Sequence, residues 1–167
     1  MLSDLIASLG TPAGRRTLVW RVIGPLMTLY PPYLGAGIDV ARTADGRGYV
    51  ARMPLRWYNR NIVGTHFGGS LYAMVDPFFM AILMERLGTN YVVWDKAAEI
   101  RFRRPGLGVV SATFEIPDAS VEAIRAEAAS APSVERWFEV DVVNTSGEVV
   151  ATARKLVHVR QRASGRA

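Results

Sequence analysis

The sequence predicts an α+β fold in which about six antiparallel strands wrap around one long buried helix. Three observations lead there. The stretch Phe67 to Leu87 is apolar on nearly every side until Glu85 and Arg86, and a helix without a polar face must be enclosed. The segments flanking it switch to a two-residue alternation, clearest where Glu99, Arg101 and Arg103 alternate with Ile100 and Phe102. Turn signals then punctuate these segments at Asp45-Gly46, Pro105-Gly106 and Asn144-Thr145-Ser146-Gly147.

Taken in order, Leu2 to Tyr30 reads as one or two helices, interrupted at Thr11-Pro12 and near Gly24-Pro25 and stopped by Pro31-Pro32. Leu34 to Arg42 reads as a strand, turned at Asp45-Gly46 and Gly48 into a second strand over Gly48 to Leu55. The central helix follows Gly68-Gly69 and runs to about Leu87, with Gly88 as its C-terminal cap and a kink expected at Pro77. Strands follow over Tyr91 to Arg103 and Gly108 to Ile116. Asp118 to Ser130 is an alanine-rich helix capped by Asp118 or Ser120, and two last strands span Val134 to Val143 and Glu148 to Val159. The expected organisation is a helical extension over residues 1–32, one domain over 33–160 and a loose tail over 161–167.

Composition narrows the chemistry. Half of the 167 residues are hydrophobic, enough for a core without staples. The absence of cysteine excludes disulfides, thiolate nucleophiles and cysteine zinc sites, and it fits a cytoplasmic protein. His66 and His158 stand far apart in the chain, so no metal is expected, and no motif calls for a cofactor. A net charge of +5 favours anionic partners. The basic residues are dispersed, however, in Arg101-Phe102-Arg103-Arg104 and in Arg154, Lys155, Arg160 and Arg162. They read as solvated strand faces, and no nucleic-acid partner is expected. Leu18 to Ile38 holds Arg21 and three prolines, and Phe67 to Met84 holds Asp76-Pro77, so neither is expected to span a membrane. The N-terminal helices could cap the sheet, contact a membrane or cover a ligand entrance.

The segment that carries chemistry is Asn61-Ile62-Val63-Gly64-Thr65-His66-Phe67-Gly68-Gly69, followed seven residues later by Asp76. Gly68 and Gly69 open a helix, where amides lack intrahelical partners and attract an anion or a developing oxyanion. The plainer reading is that they only allow tight packing. Asp76 has Tyr72, Ala73, Phe79 and Met80 as helical neighbours. On that face it would serve as general base or nucleophile, or would accept bonds from buried backbone or an arginine.

These residues resemble the hot-dog thioesterase superfamily, in particular its phenylacetyl-CoA and medium-chain acyl-CoA thioesterase branch, over Leu34 to Val159. Asn61, Gly68 and Asp76 fall on that branch's motif positions, and Ala98 to Gly106 is similar to its third strand and following turn. The resemblance implies a hot-dog fold and hydrolysis of an acyl-CoA or acyl-carrier thioester. In it Asp76, Gly68 and Asn61 are catalytic, while Gly69, His66, Thr65, Arg103 and Arg104 bind substrate, the two arginines at the phosphates of coenzyme A. Three departures stand against it. Phe67 occupies the family's histidine position, Pro77 follows the acid, and the next strand offers Trp94, Asp95 and Lys96 where relatives have a hydroxyl.

Geometry adds a condition. Eight residues separate Gly68 from Asp76, about 12 Å along a continuous helix, too far for both to act on one carbonyl. Two antiparallel central helices across a two-fold axis would bring one subunit's glycines to the other's acid. The expected state is therefore a homodimer, with a dimer of dimers as the alternative. A non-catalytic acyl-CoA or fatty-acyl binding protein is the competing function, and hydratase chemistry with His66 a third.

Overall fold

The computed structural model describes residues 26–162. The predicted helical extension over 1–32 falls mainly outside the described residues, as does most of the tail over 161–167. Ten elements follow in order: α1 (Pro31–Ala36), β1 (Asp39–Arg42), β2 (Tyr49–Pro54), α2 (Gly68–Ala73), α3 (Phe78–Leu87), β3 (Tyr91–Phe102), β4 (Val109–Phe114), α4 (Asp118–Ser130), β5 (Val134–Asn144) and β6 (Val149–Gln161). All six strands form one antiparallel sheet in the order β1-β2-β4-β5-β6-β3. The sheet wraps the helical segment α2–α3, which is the hot-dog architecture expected.

Helical backbone ends at Met27, ahead of the prolines as expected, but Pro31-Pro32 also starts a new helix. Proline lacks an N–H that the first helical turn would leave unpaired anyway, and its fixed φ suits that position. Consequently Leu34 to Ala36 are helical, and the first strand begins only at Asp39, after Gly37 adopts the left-handed φ of 69°. The buried amide of Asn59 holds this corner, donating to the carbonyls of Ala36 (2.8 Å) and Pro54 (2.9 Å).

The central segment is two helices. A proline at 77 has no N–H to donate and its ring would collide with the carbonyl of Ala73, so α2 ends at Ala73 and α3 begins at Phe78. Asp76 lies in the break, its own amide reaching the Ala73 carbonyl at 3.4 Å. Gly88 closes α3 as expected, with a φ of 106°.

Beyond the break the helix fills the sheet's concave face. Phe78 stacks on Phe114 with ring centroids 4.4 Å apart and lies 5.3 Å from Tyr49, while Phe79 stacks on Phe138 at 5.1 Å. Phe78, Ile82 and Leu83 are fully buried, each contributing about 1.5–3 kcal/mol of transfer free energy. The few polar groups on α3 are paired at its end: Glu85 takes Arg42 through both carboxylate oxygens at 2.7 Å, and Arg86 pairs with Asp118. That pairing explains why Asp118 is no N-cap. The cap position of α4 is Pro117, and no side chain caps it. Val121, Ile124 and Ala128 form the buried stripe by which α4 packs.

Candidate functional site

The loop from Asn61 to Gly68 is held by backbone hydrogen bonds and by the side chain of Asn61. The Asn61 amide nitrogen donates to Thr65 Oγ1 (2.9 Å) and to the His66 carbonyl (3.3 Å), while Oδ1 accepts the amides of Val63 and Thr65, both at 3.1 Å. Gly64 takes the φ of 85° that the turn demands. An asparagine amide has two donors and about two acceptor positions, so Asn61 has no capacity left to orient water. Asn61 thus holds the loop in shape, and its amide makes no contact with Asp76.

His66 is buried and tied to the opposite turn. Its amide donates to the Gly106 carbonyl (3.0 Å), and its Nε2 lies 3.0 Å from the Gly108 carbonyl. A carbonyl can only accept, so Nε2 carries the proton and Nδ1 is bare, with no partner among the described residues. Burial pulls the His66 pKa below its ordinary value, against a smaller opposing effect of the Gly108 bond. His66 therefore pins two loops together as a neutral ring.

The chain then turns into α2 through Phe67, which has an extended backbone and gives no side-chain cap. Ser70 and Leu71 donate to the Phe67 carbonyl at 2.9 and 3.1 Å, whereas the amides of Gly68 and Gly69 reach no acceptor among the described residues. Side chains crowd this opening. A Cβ on Gly69 would lie 2.4 Å from the Phe67 ring, and one on Gly68 would lie 3.0 Å from the Phe102 ring.

Around this opening lies a cleft of about 380 Å³, walled by Asn61, Thr65, His66, Gly68, Arg103 and Arg104 together with Val63, Leu71 and Phe102. Gly69 faces a different groove, shared with Ser70, Tyr58 and Pro32. The Arg103 guanidinium has no hydrogen-bond or ion-pair partner among the described residues, while that of Arg104 pairs with Glu148. Such an exposed pair contributes little to stability, and both side chains are about half exposed.

Asp76 is not in the wall of that cleft. Its Oδ1 accepts the Tyr72 hydroxyl at 2.8 Å and the Lys155 ammonium at 2.6 Å, and its side chain is 50% exposed. The acid thus sits at the margin of the domain with one oxygen held, rather than in an apolar core. Lys155, by contrast, is 1% exposed. It also reaches Asp95 Oδ2 at 2.9 Å and the Tyr72 hydroxyl at 3.0 Å. Asp95 is mostly buried, which raises its pKa, and the bond from Lys155 opposes that rise. Burial, then the nearby Asp76 charge, raise the Tyr33 phenol as well.

Residues 20–159 match the DUF4442 family, described as a domain of unknown function. The chain belongs to DUF4442. Among curated proteins no relative matches. Among solved structures, this DUF4442 chain is similar to a probable thioesterase of Pseudomonas aeruginosa at 20% identity. That match covers 87% of this chain and 96% of that one, with a TM-score of 0.72. A Haemophilus influenzae thioesterase is 13% identical over 82% of this chain and 87% of its own, with a TM-score of 0.61. The E. coli PaaI protein of the phenylacetic acid degradation operon is 17% identical over 87% and 95%, with a TM-score of 0.54. These likenesses establish the hot-dog fold.

Within this DUF4442 domain the sequence reading missed Lys155 and Asp95. Lys155 was assigned to a solvated strand face. The alternation contained the correction: Ala151, Ala153, Val157 and Val159 face the core, and Lys155 is in the same phase. Asp95 pairs in register with Val157 and shares that phase. Tyr72, named from the sequence only as a helical neighbour of Asp76, joins the network through its hydroxyl. Among the described residues no cluster suits a metal ion, and no helix is long and apolar enough to cross a membrane.

Proposed function

We propose that this protein hydrolyses acyl-CoA-type thioesters at a site shared between two copies of the chain. The observation that carries the reading is the cleft itself. One cavity collects Gly68, Thr65, His66, Arg103 and Arg104 at a helix opening whose glycine amides reach no acceptor among the described residues, with Gly69 facing the neighbouring groove. Those amides are suited to the oxyanion of a thioester tetrahedral intermediate. The unpaired Arg103 and the half-exposed Arg104 suit the phosphates of coenzyme A. Val63, Leu71 and Phe102 offer apolar contact to the acyl portion.

The acid comes from the second copy in this reading. Asp76 leaves Oδ2 without a partner among the described residues and half-exposes its side chain, as a group completed by another subunit would. The sheet offers a place for that copy. β3 is an edge strand of twelve residues whose Lys96, Ala97, Ala98 and Glu99 are all exposed, and a long uncovered edge invites pairing. Two of the similar structures are named a probable thioesterase and a thioesterase, which supports thioester chemistry here.

Binding of acyl-CoA or a fatty-acyl ligand without hydrolysis is the second reading. It is favoured by Asn61, whose amide is spent on its own loop, and by Phe67 at the helix opening. Thiol release from a panel of acyl-CoAs decides between them. Hydrolysis that falls about tenfold or more in kcat in Asp76→Asn, with the fold intact, supports the enzyme. Saturable acyl-CoA binding without thiol release from wild-type protein supports the binding protein. Equilibrium sedimentation that finds only monomer at micromolar concentration removes the shared site.

A further inference from the structure

The ammonium of Lys155 is buried and held by three partners. It projects from the core-facing stripe of β6, 1% exposed, between Ala153 and Val157. Its three N–H donors meet three acceptors on two elements and the helix break: Tyr72 Oη on α2, Asp76 Oδ1 in the break and Asp95 Oδ2 on β3. Burial works against the charge, but the bonds to Asp76, Asp95 and Tyr72 outweigh it and hold the lysine well above its ordinary pKa. Tyr72 closes a ring, accepting from Lys155 and donating to Asp76.

Both bonds to Asp76 fall on the same oxygen. Oδ1 is held from two directions, while Oδ2 has no partner among the described residues. A residue in a break between two helices has no regular helical neighbours to fix its rotamer, so the clamp supplies the orientation. A structural role alone would not require a lysine. A well-packed apolar side chain in place of a buried ion pair is often neutral or stabilising.

We propose that Lys155 is the positioning residue for Asp76, clamping Oδ1 so that the ionised Oδ2 is presented outward in a fixed direction. The inference rests on the thioesterase reading above. In that reaction Oδ2 takes a proton from water as the water oxygen bonds to the thioester carbonyl carbon. The carbon–sulfur bond then breaks, and the departing thiolate receives the proton. Asp95 anchors the lysine from the opposite side. Among the described residues its second oxygen, Oδ1, is buried without a hydrogen-bond partner, and Lys155 is the side chain that anchors it. The other ionisable group that senses Asp76 is the buried Tyr33 phenol of α1. From β5, Phe138 stands in register with Lys155 and adds no charge.

The test is a cycle of kcat and KM for acyl-CoA hydrolysis in wild type, Lys155→Met, Asp76→Asn and the double variant. Lys155→Met is expected to lower kcat about tenfold or more with KM within about twofold, and to add no loss in the Asp76→Asn background. Wild-type kcat in Lys155→Met, or losses that multiply in the double variant, overturns the clamp. Tyr72→Phe removes one hydroxyl from the ring and serves if Lys155→Met does not fold. Its expected loss is about threefold in kcat and is absent in Asp76→Asn; an unchanged kcat overturns the proposal. A wild type that releases no thiol overturns the thioesterase reading and the clamp together. An active, Asp76-dependent enzyme indifferent to both substitutions overturns the clamp alone.

Discussion

The loop at Asn61–Gly68 and the cluster around Asp76 are both polar and both near the central helices, yet they are made in opposite ways. In the loop, Asn61 satisfies groups two to five residues away, and four hydrogen bonds consume its whole amide. In the cluster, Lys155 reaches 79 residues back to Asp76 and 83 back to Tyr72. The loop spends its polar groups on its own shape. The cluster aims two donors, from Tyr72 and Lys155, at one carboxylate oxygen and leaves the other open among the described residues. A shape-forming polar group should show itself in stability, and a group held for chemistry should show itself in rate.

Four experiments would break or sharpen that contrast. Asn61→Ala removes four hydrogen bonds from a half-buried loop and is expected to destabilise the fold by about 3 kcal/mol, read as a lower urea midpoint with an unchanged slope. If it instead left stability intact and abolished thiol release, the loop would belong with the chemistry. Gly69→Ala places a methyl against the Phe67 ring and should cost about 1–3 kcal/mol, unless Phe67 rotates away at little cost. Chemical denaturation of that variant beside Phe67→Leu, Gly69→Ala distinguishes the two, since the smaller partner should recover the loss.

Asp76→Asn is expected to lower kcat about tenfold, near 1.4 kcal/mol of transition-state stabilisation, with little change in stability. A large drop in melting temperature with unaltered turnover would make Asp76 structural. The smallest effect concerns His66. Its folded pKa is depressed by burial, so the unfolded chain binds the proton more readily. The stability this contributes is fully present above the unfolded value of about 6.5 and is lost as pH falls through the folded pKa. Melting curves from pH 7.5 to 5 should decline in wild type, and the part due to His66 should vanish in His66→Gln. An identical slope in the two proteins would refute the assignment.

The contrast also explains what could be read in the chain. The strands are legible because alternation is a local property, and the bounds of α4, Asp118–Ser130, were read correctly although its expected side-chain cap is absent. Pro31-Pro32 was read only as a stop, since proline both ends helices and begins them, and the choice depends on what precedes it. The candidate residues of the cleft were named from one short motif and from Arg103-Arg104, and folding brings them to one cavity. Their individual roles were less legible. Whether Asn61 or His66 is free to act depends on where its hydrogen bonds go, and the partners of His66 at Gly106 and Gly108 lie some forty residues away.

The amino-acid order by itself determined the six strands, the enclosed helical segment and the break at Pro77, because periodicity and proline stereochemistry act over a few residues. Tertiary structure alone decided that Asp76 is paired, that its partner is Lys155, and which of its oxygens stays open. Charge pairing is set by distance in space, and the sheet order that places β3 and β6 side by side beneath the helix break is a property of the folded whole.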